Sequence, residues 1–149
     1  HTGILIAIAA VVGIYIYLNH TVLGYQLRVV GENPKAAGYG GINIQRTVIL
    51  SLLISGGLAG LAGTGEVAGI WHRLMMDISP GYGYTAIVIA LLGRLDPLGT
   101  LVSSFLFAVL VVGADSMQRT VGAPAAAVLI VQALVVLGVL AGDYLMRRS

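Results

Sequence analysis

Few side chains in this sequence are equipped for chemistry. No Gly-x-x-x-x-Gly-Lys phosphate loop occurs, so the chain is expected not to bind ATP. There is no Ser/His/Asp set and no zinc-ligand spacing, and the absence of cysteine removes thiolate nucleophiles and thiolate metal ligands. These patterns predict a protein that is not an enzyme, with no catalytic residue, no metal site and no cofactor of its own. The polar residues offer hydrogen bonding, ion pairing and docking instead. Glu66, Tyr84 and Gln132 are the candidates within apolar sequence, and the segment around Asn33-Pro34 is the candidate outside it.

Glu66 follows Arg46 by twenty residues, which is about 30 Å along a helix. A carboxylate at the far edge of a hydrocarbon layer is costly unless it meets water or a partner. Two readings follow: an interfacial residue paired with Arg73, or a polar contact at the outer mouth of a solute path. Gln132 sits near the middle of an apolar stretch, as an interhelical hydrogen bond or as a contact for a hydroxyl-rich solute. Tyr82 and Tyr84 read as boundary anchors or as a stacking surface for a sugar or base. Asp115 and Asp143 read as interface markers at helix ends. In the segment 70–77, Trp71 fits an aromatic belt, and the lone His72 reads as interfacial.

The elements that must position these residues follow from composition. Of 149 residues, 58% are hydrophobic and only 9% charged, against about 25% charged in a soluble domain. Mean hydropathy is +0.95. That excludes a soluble globular enzyme and a disordered chain. A net charge of +2 with no basic patch excludes a nucleic-acid partner. The 21 glycines suit close packing of membrane helices. An all-α integral membrane protein is expected, with about five transmembrane or re-entrant helices near 3–18, 44–65, 80–94, 98–115 and 124–142. The third is too short to span unless residues 79–82 join it, since a span needs about 20 apolar residues. The stretch from Gly3 reads as the continuation of a membrane segment, and the chain as a piece of a larger membrane protein. In the second span, Gly56, Gly60 and Gly63 form a small-residue packing stripe.

Charge sets the sidedness. With the segment after the first span on the cytoplasmic side, Arg28, Lys35, Arg46, Arg94, Arg147 and Arg148 share that side, opposite Arg73 and Arg119. The cytoplasmic loop at 19–43 is the most polar part of the chain. Within it Asn33 is a good N-cap, Pro34 suits the first helical position, and Lys35-Ala36-Ala37 favours helix. Gly38, Gly40 and Gly41 are expected to stop it. The result is a helix of one to two turns, read equally as a docking knob for a cytosolic partner or as a capped connector.

The residues 21–37, followed by Gly41-Ile42-Asn43, resemble the cytoplasmic loop of the ABC-importer permease superfamily that serves simple sugars, nucleosides and branched-chain amino acids. The blocks 81–99, 57–63 with Glu66 and Gly69, and 130–137 resemble it in the same order. Gly24-Tyr25-Gln26-Leu27-Arg28 and Gly31-Glu32-Asn33-Pro34-Lys35-Ala36-Ala37 look most like the simple-sugar and nucleoside branch. Gly38 and Gly40 depart from it, where bulkier residues are common. The resemblance implies the C-terminal part of a polytopic permease in a bacterial or archaeal cytoplasmic membrane, surrounded by membrane lipid. It implies a cytosolic ATPase that holds ATP and Mg, a second permease subunit and an extracytoplasmic solute-binding protein. It also implies that Arg28, Gly31, Glu32, Asn33, Pro34, Lys35, Ala36 and Ala37 form the coupling helix region that engages the ATPase. A branched-chain amino acid permease and a secondary-transporter segment are the alternatives; the latter needs paired intramembrane carboxylates, which the sequence lacks.

Overall fold

A computed structural model describes residues 2–74, 76 and 81–148. Among them every regular element is helical. They form two compact units, His1–Pro80 and Gly81–Ser149.

The first unit contains α1 (Thr2–His20), α2 (Val22–Glu32), α3 (Pro34–Tyr39) and α4 (Ile44–Glu66), the last continued by a π-helical turn, Val67–Trp71. α1 and α4 are apolar on all sides and long enough to cross a bilayer. The loop expected at 19–43 is therefore mostly helical. α2 carries no local sequence signal, because Gly24 and Gly31 lower its intrinsic propensity. Its helicity is supported by Thr21, whose hydroxyl accepts from the Gly24 N–H at 3.1 Å, and by burial of Gly24 and Val30. α3 fulfils the capping expectation, although Gly38 lies inside it and the stop falls at Gly40 and Gly41. Gly41 takes φ 78, the left-handed backbone that glycine adopts without strain. The π turn had no sequence signal; it ends at His72, with φ 52.

The second unit contains α5 (Tyr82–Leu92), α6 (Pro97–Val121) and α7 (Ala125–Arg148). α5 has 11 residues, roughly 16 Å at 1.5 Å per residue, about half a bilayer core. Of the extension considered for it, residues 79 and 80 lie outside the described residues, as do Met75 and Asp77 and the side chain of Trp71. α6 runs past the expected end at Asp115 to Val121, and Arg119 pairs with that carboxylate one turn later, at 2.9 Å. α7 likewise continues past Gly142. Asp115 and Asp143 thus stand more than a turn inside their helices, not at the ends.

The α5–α6 corner is tight. A Cβ on Gly93 would meet the Gly99 carbonyl carbon and the Thr100 Cα, each at 2.6 Å, and one on Gly99 would land on the Gly93 carbonyl oxygen. Asp96 caps α6 through Leu98 N at 3.2 Å and Gly99 N at 3.3 Å, and Pro97 takes the first helical position. Among the described residues the buried hydrophobics are Val30, Ala37 and Phe107, whereas Leu5, Phe105 and Val112 are widely exposed. This is the surface of a multi-pass membrane protein, whose apolar faces meet lipid or other helices.

Candidate functional site

α3 is built by local chemistry. Asn33 is extended at φ −152, and its Oδ1 accepts from Ala36 N at 3.1 Å. The same residue ends α2, its N–H donating to Val29 O at 3.0 Å. Pro34 begins α3, where its missing N–H leaves no helical bond unmade. At the far end Gly40 N donates to Ala36 O at 3.0 Å and Ile42 N to Ala37 O at 3.1 Å. Asn43 then caps α4 through Arg46 N at 3.1 Å, and Thr47, itself buried, donates its hydroxyl to Asn43 O at 3.0 Å.

The eight residues predicted for this surface divide. Ala37 is 0% exposed and seats the helix; Arg28, Gly31, Glu32, Asn33, Pro34, Lys35 and Ala36 are exposed. Arg28 has an internal partner, its Nη2 donating to Asn19 Oδ1 at 2.6 Å. Tyr39, 94% exposed at the end of α3, belongs to the same surface and was missed. An aromatic residue between glycines in the most polar stretch of the chain was its available signal.

The polar residues of the spans fall in separate units. Glu66, half-buried, is the last residue of α4, and no ion pair joins it to Arg73 among the described residues. In the second unit Tyr84, 81% exposed, and Gln132 line one shallow, open groove of ≈ 230 Å³, with Thr85, Val88 and Phe107. Gln132 also borders an apolar cavity of ≈ 440 Å³ against Val109, Gly113 and Met117. A half-buried amide with apolar walls is suited to holding a polar solute group or a polar side chain. A Cβ on Gly56, Gly60 or Gly63 would meet nothing within 4 Å among the described residues. The glycines in close backbone contact are Gly24, Gly93 and Gly99, at helix corners.

Residues 1–140 match the family model described as branched-chain amino acid transport system / permease component. The chain is 40% identical over 147 residues to a glucose ABC transporter permease protein, TsgB13, of Haloferax volcanii, covering 99% of this chain and 39% of that protein. It is 35% identical over 148 residues to a guanosine ABC transporter permease protein, NupP, of Bacillus subtilis, covering 99% of this chain and 42% of the relative. Against a nucleoside ABC transporter permease protein, NupB, of Lactococcus lactis, identity is 38% over 135 residues, 90% of this chain and 37% of the relative. The chain thus spans about two fifths of the length of these relatives. No solved structure matches it. With nearly its whole length matched by one family model, and with apolar helices around a capped polar loop, the chain belongs to the branched-chain amino acid transport system / permease component family.

Proposed function

We propose that this chain is part of the permease of an ABC importer that moves a simple sugar or nucleoside into the cell. The energy comes from a separate cytosolic ATPase that binds ATP and Mg; the chain itself binds no cofactor. A second permease subunit completes the path, and an extracytoplasmic binding protein delivers the solute across the cytoplasmic membrane of a bacterium or archaeon. The observation that carries this reading is α3, a short exposed helix capped at both ends and seated at Ala37. A short, exposed helix capped by Asn33 and seated at Ala37 is suited to receive the motion of an ATPase and pass it to the helices beside it. The printed names of the relatives, glucose, guanosine and nucleoside permeases, favour sugars and nucleosides. Within the permease, Glu66, Tyr84 and Gln132 are the proposed solute-path residues.

Co-purification of the full permease with the ATPase encoded beside it tests the assignment. We expect a stable complex whose ATP hydrolysis rises with solute-loaded binding protein. A permease that neither recruits an ATPase nor changes its turnover would overturn it. Thermal shifts of the binding protein with glucose, guanosine and leucine separate the solute classes, and a shift with leucine alone would assign a branched-chain amino acid permease.

A further inference from the structure

The corner between α1 and α2 is more heavily braced than a connector needs. Thr21 is the single residue between the helices. Its hydroxyl donates to the Tyr17 carbonyl of α1 and accepts from the Gly24 N–H of α2, so one side chain satisfies an unpaired group at each helix end. Gly24 is buried against α1, where a Cβ would land on the Tyr17 carbonyl oxygen and lie 2.6 Å from the Leu18 Cα. One turn on, Arg28 Nη2 donates to Asn19 Oδ1 at 2.6 Å, and Asn19 Nδ2 donates to the Tyr15 carbonyl at 3.0 Å. The other end of α2 is as short: Asn33 alone separates it from α3, closing one helix and opening the next.

We propose that α2 is a rigid arm through which a displacement of α3 reaches α1 as well as α4. Gly24 and the Asn19–Arg28 pair are its positioning residues. A linker of several flexible residues would absorb such a displacement, whereas here each joint is one residue long and hydrogen-bonded on both sides. Arg28 thereby acts inside the chain, holding the arm to α1. This inference rests on the importer reading above.

The test uses the full permease with its ATPase, second subunit and binding protein in vesicles, with labelled glucose and guanosine as probes. Spin labels at Val12 of α1 and Tyr39 of α3, in nanodiscs, read the arm directly. Gly24→Ala is expected to broaden the label distance distribution and cut uptake about tenfold, within the usual range of coupling between sites. ATPase binding is retained, and ATP hydrolysis changes less than uptake. Asn19→Ala should act in the same direction more mildly, and Asn19→Asp, which keeps an acceptor for Arg28, should restore uptake. Val22→Ala, on the exposed side of α2, should move neither readout. Unchanged distances in Gly24→Ala, or broadened distances with full uptake, would overturn the proposal. If Gly24→Ala does not assemble, the two Asn19 variants decide it by the same readouts. A wild-type permease that recruits no ATPase refutes the importer reading, and the label distances then still report whether the arm is rigid.

Discussion

Arg94 Nη2 lies 2.7 Å from Asp143 Oδ1, a pairing across 49 positions that ties the α5–α6 corner to α7. Arg147 Nε approaches the other oxygen of the same carboxylate at 3.2 Å. Arg94 and Leu95 both hold φ 57, a backbone uncommon for residues other than glycine. The bonds around them fix it: Arg94 N donates to Leu91 O and Leu95 N to Ala90 O. The carboxylate of α7 is thus shared between its own last turns and a corner built by local constraints.

Asp143→Asn weakens both pairs. Because the arginines are largely exposed, the expected loss is about 0.5–1 kcal/mol, shrinking as salt rises. Melting of the detergent-solubilised permease at low and high salt measures it, and an Arg94→Asp/Asp143→Arg exchange should recover the Arg94 share. Equal melting temperatures for Asp143→Asn and the parent would show that the cluster contributes nothing to stability.

Asn33 offers a cap that can be separated from a contact. Asn33→Ala is expected to cost about 1 kcal/mol of α3 stability, roughly fivefold in ATPase affinity, whereas Asn33→Asp retains a cap acceptor and most of the affinity. Titration of the ATPase against each variant checks this. A deficit of similar size in both would mean that Asn33 is read directly by the partner.

At Ala37 the constraint is volume. Ala37→Leu should destabilise the permease by about 1–3 kcal/mol through overpacking. Lys35→Ala, on the exposed side, should leave stability within about 0.5 kcal/mol and slow ATPase association instead. Thermal unfolding and stopped-flow association separate the two.

The two classes of glycine predict opposite behaviour. Gly93→Ala meets backbone at the α5–α6 corner and should cost about 1–3 kcal/mol in the 149-residue chain itself. A Cβ at Gly60 meets nothing within 4 Å among the described residues, so Gly60→Leu should be tolerated there. In the full-length permease it should destabilise if another helix packs on this small-residue stripe. Parallel melts of the two proteins test both statements.

Gln132→Leu is expected to raise the KM for uptake about tenfold while leaving the melting temperature near that of the parent, as loss of a substrate contact would. Tyr84→Phe should change KM less than Tyr84→Ala if the ring stacks on the solute. A stability loss without a KM change would assign Gln132 to helix association.

The parts of this fold legible in the sequence are those set by neighbours in the chain. Asn33 with Pro34, and Pro97 at the start of α6, carry their structural meaning in two or three residues. The four long spans are legible because lipid imposes an apolar run without regard to partners. α2 was not legible, because its glycines argue against helix and its supports, Thr21 and the buried Gly24 and Val30, act through contact with neighbouring helices. The glycine stripe of α4 was read from spacing, while the close approaches occur at Gly24, Gly93 and Gly99, where chain reversal brings two helices together. Of the candidate site, the α3 helix and its Asn33 cap are legible in a few adjacent residues, and the seat at Ala37 is set by contact with neighbouring helices. The shared groove of Tyr84 and Gln132 depends on how helices far apart in sequence lie together, which no local pattern encodes.

The distribution of burial has a consequence for how the chain is made. Gly24, Val30, Ala37, Thr47, Gly93 and Pro97 are all buried at or near helix ends, while among the described mid-helix residues only Phe107 is buried. Corners of this kind close over short sequence separations at little loop-closure cost, so they do not depend on distant helices to pack against. Biogenesis would then deliver finished hairpins to the bilayer, with acyl chains as temporary neighbours.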